Sequence, residues 1–287
     1  MDAKELLKKV RIIELKTKGL SSQVFSGEYH SAFKGRGMAF SEVREYMPGD
    51  EIRTIDWNVT ARFNHPYVKV FHEEREMTVM LIIDISGSSS FGTRTQLKRE
   101  LIAEIAAVIS FSAIQNNDKI GVILFADKPE LYIPPKKGKK HILRIIRELI
   151  EFTPTTKETN IGITLDYFNN VIKKRSIVFL ISDFLDHSFE DQLKITNRKH
   201  DLVALQITDD AEYKLPKVGW IQMEDLESGN LKWVYTNAAK VRKRYADQGH
   251  AHDRYLKETF RRSGVDFAKV ATGESYVKPL MNLFKNR

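Results

Sequence analysis

The chain has 287 residues and 42% hydrophobic content, enough for one large or two modest domains with an ample core. It contains no cysteine, which excludes disulfides and thiolate metal sites. Lys and Arg outnumber Asp and Glu by 46 to 38, and the net charge of +8 suits nucleic acid, an anionic membrane surface or an acidic protein without choosing among them.

The first stretch, MDAKELLKKVRIIELKTKG, mixes acids with bases and has no long apolar core, so it does not read as a signal peptide. No run approaches the roughly 18 apolar residues of a transmembrane helix, and a cytoplasmic protein is expected. Leu6, Leu7, Val10 and Ile13 recur at helical spacing and predict an amphipathic helix over residues 3–17, ended by Gly19. Residues 20–76 have another texture. Phe33-Lys-Gly-Arg-Gly-Met38 is rich in glycine, and Met47-Pro-Gly-Asp50 places Pro and Gly at the centre of a type II turn. Ile55, Trp57, Val59 and Ala61 alternate with polar residues and predict a strand, followed by another over 67–71. Residues 1–76 are thus expected to form a helix and a small β-rich module.

From Thr78 the chain alternates strand and helix. Strands are expected over 78–84, 119–125, 131–134, 177–182 and 202–207, with helices over 97–108, 143–150, 161–174 and 189–197. A hairpin follows near 220–236, then a basic helix over 238–262, a last strand over 266–270 and a closing helix over 275–284. This alternation predicts an α/β fold for residues 77–287: a doubly wound, mostly parallel sheet with helices on both faces.

Val79 to Ile83 is a continuous apolar run, the pattern of a strand covered on both faces, and it leads straight into Asp84, Ser86 and Ser88. In open α/β sheets ligands bind beyond the carboxyl ends of the strands. One carboxylate with two hydroxyls suits a hard cation such as Mg²⁺. Asp-x-Ser-x-Ser alone reads first as a loop whose serines cap the next helix. Two further strand-end loops decide between these readings. Thr159 lies in ETNIG at the mouth of a helix, and Asp183 directly follows IVFLIS, so five oxygen donors from distant segments can converge at one sheet edge.

Asp-x-Ser-x-Ser after the first strand, the Thr-Asn-Ile-Gly loop and Ser-Asp after a later strand together resemble the metal-ion-dependent adhesion site of von Willebrand factor A domains. The upstream stretch HSAFKGRGMAFSEVREYMPGDEIRTIDWNVTARFNHPYVKVFHEERE, and later DAEYKLPKVGWIQMEDLESG, resemble bacterial proteins of domain of unknown function 58. The resemblance implies that Ser86, Ser88 and Thr159 supply hydroxyl ligands and that Asp84 and Asp183 bind directly or through water. The expected ion is Mg²⁺, with Mn²⁺ or Ca²⁺ as alternatives. It further implies a non-enzymatic adaptor working with a MoxR-type AAA+ ATPase in chaperone-like maturation or remodelling, a client protein being another partner.

Arg44, Asp50, Arg53, Asp56, Trp57 and Arg62 form either a partner-facing surface or a structural ion-pair network around the Pro-Gly turn. An alternative function, RNA binding, rests on Lys240, Arg242 and Arg244 of the basic helix, whose run is interrupted by Asp247, Asp253 and Glu258. A Mg²⁺-dependent hydrolase lacks an evident nucleophile or general base.

Overall fold

The computed structural model describes residues 38–73, 76–92, 96–186, 188–224 and 230–285. The helix expected over residues 3–17 lies outside them. In the upstream segment β1 (Met38–Glu45) is followed by α1 (Trp57–Phe63) and β2 (Tyr67–Glu73). β1 and β2 pair antiparallel as a two-stranded sheet of their own, and only β2 was expected from the sequence. The Pro-Gly turn forms as read: Gly49 takes a φ of 112°, where L side chains are strained, and Asp50 N–H donates to the Met47 carbonyl at 3.0 Å.

Residues 57–63 correct the strand expectation, because they form α1 instead. Asp56 Oδ1 accepts from the N–H groups of Asn58 at 3.0 Å and Val59 at 3.3 Å, and Asn64 closes the helix in the left-handed region with φ 56°. Trp57 is 67% exposed, so the alternation that suggested a strand does not mark a buried face. Local capping outweighs a period-two pattern that, among the described residues, no strand satisfies beyond the bridge between Ile55 and Val68.

The main sheet begins at β3 (Thr78–Asp84), which leads through a short 3-10 turn (Gly87–Ser90) to α2 (Lys98–Gln115). Then come β4 (Lys119–Phe125), β5 (Pro129–Lys136), α3 (Lys139–Glu151) and α4 (Ile161–Val171). β6 (Ile177–Ser182), α5 (Glu190–Lys199) and β7 (Asp201–Thr208) follow. β8 (Trp220–Glu224) and β9 (Leu231–Tyr235) make the expected hairpin, and α6 (Ala239–Ser263), β10 (Asp266–Ala271) and α7 (Val277–Lys285) end the described chain.

The six strands lie in the order β10-β7-β6-β3-β4-β5, all parallel except the antiparallel edge strand β5. β3 is central, and its residues alternate between two cores. Val79, Leu81 and Ile83 pack with Leu101 and Ile105 of α2, Ile142 of α3 and Leu280 of α7. Met80 and Ile82 pack on the other face with Leu165 of α4, Leu193 of α5 and Phe260 of α6. This is the doubly wound architecture, with helices on both faces and apolar strands between them.

The order of the strands also places a crevice. From β3 the chain winds one way to β4 and β5, then returns to the other side of β3 for β6, β7 and β10. The topological switch therefore falls between β3 and β6, the position where open α/β sheets bind ligands.

Candidate metal centre

Asp84 ends β3, and Asp183 follows the last residue of β6. Adjacent parallel strands in register (Ile83 beside Ile181) bring these carboxylates to one edge at the switch point. Both are buried, at 3% and 6% exposure. Asp84 Oδ1 accepts from Ser86 N–H at 2.9 Å, and its Oδ2 accepts from the Ser182 hydroxyl at 2.6 Å. Burial, and after it the neighbouring charge of Asp183, push the Asp84 pKa upward against the downward pull of those hydrogen bonds.

The serines do not act as caps. Ser86 precedes the 3-10 turn but its side chain makes no capping bond, and Leu97 stands at the N-cap of α2. Instead Ser86 Oγ and Ser88 Oγ lie 3.2 Å apart, both residues buried, while Ser89 Oγ donates back to the Ser86 carbonyl at 2.8 Å and holds the turn.

Three bonds lace the loops together. Gly87 N–H donates to the Lys157 carbonyl at 3.1 Å, which fastens the loop before α4 to the serine turn. Asp186 Oδ2 accepts from Ile161 N–H at 2.9 Å, which fastens the loop after β6 to the start of α4. The Ser182 to Asp84 bond joins β6 to β3. Thr159 thus sits between two tethers. The N-cap of α4 is Asn160, whose Oδ1 accepts from Ile163 N–H at 2.9 Å, so Thr159 is free of that duty.

Thr159 Oγ1 and Asp183 Oδ1, both in this edge, are buried with no hydrogen-bond partner among the described residues. Leaving a buried polar group unmatched costs roughly 1–3 kcal/mol, more for a charged one. All five sequence-derived residues therefore come to one sheet edge on interlocked loops. Their donors are oxygens only, the chemistry of a hard cation. Among the described residues no group of three or more His, Asp or Glu is arranged to hold a metal, so a cation at this edge must draw on the hydroxyls. The residues fit the ion expected from the sequence.

Sequence reasoning missed two charged neighbours. Lys98, the first residue of α2, is 2% exposed, and its Nζ lies 2.9 Å from Asp183 Oδ2. The same Nζ forms an ion pair with the half-buried Glu212, in the 3-10 turn Asp210–Glu212 after β7. Burial acts to lower the Lys98 pKa, but Asp183 and Glu212 outweigh it and raise the pKa above its ordinary value. A signal was available: Lys98 falls three residues before Leu101 and seven before Ile105, on the apolar stripe of its helix. Phe184, next to Asp183, takes a φ of 58°, and its N–H donates to Ser182 Oγ at 2.9 Å. Its ring is buried against Phe189 and Phe260, which fixes the turn that presents Asp183.

The other sequence-derived residues lie elsewhere. Arg44 makes a two-pronged bond to Asp50, both contacts at 2.7 Å, and this bond, with help from Met47 N–H, holds the Asp50 carboxyl down at about 2. Asp56 caps α1 and pairs with Lys69 at 3.4 Å. Arg53, Trp57 and Arg62 are exposed. On α6, Arg242 donates to the Thr236 carbonyl at 2.6 Å, while Lys240 and Arg244 are exposed. Asp253 faces inward and accepts from Gln206, Tyr213 and Lys269.

The fold and the site define an α/β protein with an oxygen-lined cluster at its topological switch point. The family described as protein of unknown function DUF58 matches residues 42–255, and the chain belongs to it. An uncharacterised protein of Mycobacterium bovis, Mb1516, is 27% identical over 290 residues, covering 100% of this chain and 91% of the relative. YeaD, an uncharacterised protein of Bacillus subtilis, is 26% identical over 109 residues, 38% of this chain and 25% of its own. Solved structures are more distant. An aerotolerance-related membrane protein from Bacteroides fragilis has a TM-score of 0.49 and 17% identity over 74% of this chain and 100% of its own. A mussel byssus protein, proximal thread matrix protein 1 with a zinc-occupied MIDAS motif, has a TM-score of 0.38 and 15% identity over 46% of this chain and 38% of its own. No shared function follows from likenesses at this distance. Among the described residues no helix is long and apolar enough to cross a membrane.

Proposed function

We propose that this DUF58 protein is a non-enzymatic adaptor of the von Willebrand factor A type that binds a protein partner through a metal ion. Asp84, Ser86, Ser88, Thr159 and Asp183 would hold Mg²⁺, with Mn²⁺ or Ca²⁺ as alternatives. The observation that carries this reading is the pair of unmatched buried oxygens, Thr159 Oγ1 and Asp183 Oδ1, on loops tethered to the Asp84–Ser88 turn. A bound cation would supply the charge that both lack. Only two carboxylates belong to the set, and Lys98 already offsets one of them. The ion would therefore keep positive character, and a Glu or Asp of the partner would complete its coordination.

The partner class comes from the sequence resemblance: a MoxR-type AAA+ ATPase, a client protein, or both, in chaperone-like maturation in the cytoplasm. The non-enzymatic role follows from the same assignment: with the cluster's carboxylates and hydroxyls taken up as ligands or bonded to one another, none would be left to activate water. The test is affinity for such an ATPase measured with Mg²⁺, with chelator, and with Asp84→Ala. Binding is expected only for the wild type with metal, while circular dichroism shows the variant folded. Equal affinity under all three conditions would show that docking does not use the site.

A further inference from the structure

We infer that Lys98 and Glu212 form a charge regulator for the cation site, Lys98 withholding part of Asp183 from the ion and Glu212 drawing Lys98 away from Asp183. The inference rests on the metal reading above and concerns two residues outside its ligand set. Taking an ammonium group out of water is expensive, and an apolar side chain at the start of α2 would fill the same space at no such cost. Lys98 nevertheless is 2% exposed and lies between two carboxylates. The consequence falls on Asp183, whose Oδ2 is held by Lys98 while Oδ1 has no partner among the described residues. One oxygen is tied back and the other is left for an ion or its water.

Glu212 is held in position as firmly as Lys98. Asp209 Oδ1 accepts from Ala211 N–H at 2.9 Å, and Asp209 Oδ2 accepts from the Thr272 hydroxyl at 2.5 Å. From α6, Tyr245 donates to the Ala211 carbonyl at 2.9 Å. Gly249 of α6 lets the turn approach: a Cβ there would stand 2.9 Å from the Glu212 carbonyl oxygen and 2.9 Å from the Tyr213 ring. The 3-10 turn that carries Glu212 is thus clamped by α6 and by the segment after β10, so the second carboxylate on Lys98 belongs to the fold.

Charge arithmetic gives the two residues opposite effects. Without Lys98, both Asp183 oxygens and the Glu212 charge act on the cation, so the ion binds more tightly and is better neutralised. Without the Glu212 charge, Lys98 is left wholly to Asp183 and one attractive charge is lost, so the ion binds more weakly. Lys98 is in this account a positioning residue that keeps the ion held by the protein yet still short of negative charge.

The experiment is Mn²⁺ titration by calorimetry of the full chain, with Lys98→Met and Glu212→Gln beside the wild type and circular dichroism as the control for folding. Lys98→Met is expected to tighten Mn²⁺ binding by roughly tenfold or more, and Glu212→Gln to weaken it by roughly threefold or more. A merely structural role would lower the melting temperature of both variants and leave the two affinities within twofold of wild type, which overturns the inference. Should Lys98→Met fail to fold, the isosteric Glu212→Gln decides alone: weaker binding supports the regulator and unchanged binding refutes it. A wild type that binds no Mn²⁺ defeats the metal reading itself, and the inference with it.

Discussion

The edge around Asp84 and the module around Arg44 both carry clustered charge, but they treat it in opposite ways. In the module, Arg44 is matched by Asp50 on both prongs, Asp56 is spent on capping α1 and on Lys69, and Trp57 stands in solvent. Asp50 and Asp56 thus each have a partner within the segment. At the strand ends, Asp84 and Asp183 are buried beside each other, and one oxygen of Asp183 and the Thr159 hydroxyl have no partner among the described residues. Satisfied polar groups near the surface account for themselves, whereas unmatched ones inside the fold call for a ligand. Among the described residues single unmatched atoms also occur on Asn169 and His200, toward the other end of the strands, and on Gln206 and Thr208 near the end of β7. One orphan is answered by one water. The Asp84 edge differs because its orphans lie on loops laced to two further hydroxyls and a second carboxylate.

That contrast is open to attack from both sides. The larger effect belongs to the strand-end edge: Thr159→Val, which keeps the shape and removes the hydroxyl, is expected to weaken Mn²⁺ binding by about tenfold. Its folding stability should hold or rise by up to about 1 kcal/mol, because a buried unmatched oxygen is gone. A drop in stability with unchanged Mn²⁺ affinity would place Thr159 among ordinary structural threonines. The smaller effect belongs to the module. Asp56→Ala removes the cap of α1 and should lower the melting temperature by roughly 2–4 °C while leaving Mn²⁺ affinity alone. A change in Mn²⁺ affinity there would dissolve the distinction between the two regions.

Much of this was legible in the sequence because the relevant signals are local. Val79 to Ile83 and Ile177 to Ile181 are apolar runs of the kind a doubly covered strand needs, and the residues following them carry the oxygens. The hairpin at 220–235 and the Pro-Gly turn were equally local. Residues 57–63 were misread because alternation over four positions does not distinguish a strand from a short helix, and the Asp56 cap was the stronger signal. β1 escaped because its identity as a strand depends on pairing with β2, far along the chain. Lys98 and Glu212 escaped for a similar reason. A lysine in a basic chain reads as solvated surface, and only the fold brings Asp183, 85 residues away, against it. The carboxylate and hydroxyl set was singled out because its spacing resembles a known pattern. The charges of Lys98 and Glu212 beside it follow no short motif.

The central claim is that the strand ends hold a divalent cation, and direct Mn²⁺ titration of the full chain against Asp84→Ala tests it most simply. Saturable binding at one site per chain, weakened at least about a hundredfold in a folded Asp84→Ala variant, is the predicted result. Binding that is absent from the wild type, or equal in the two proteins, would contradict the account.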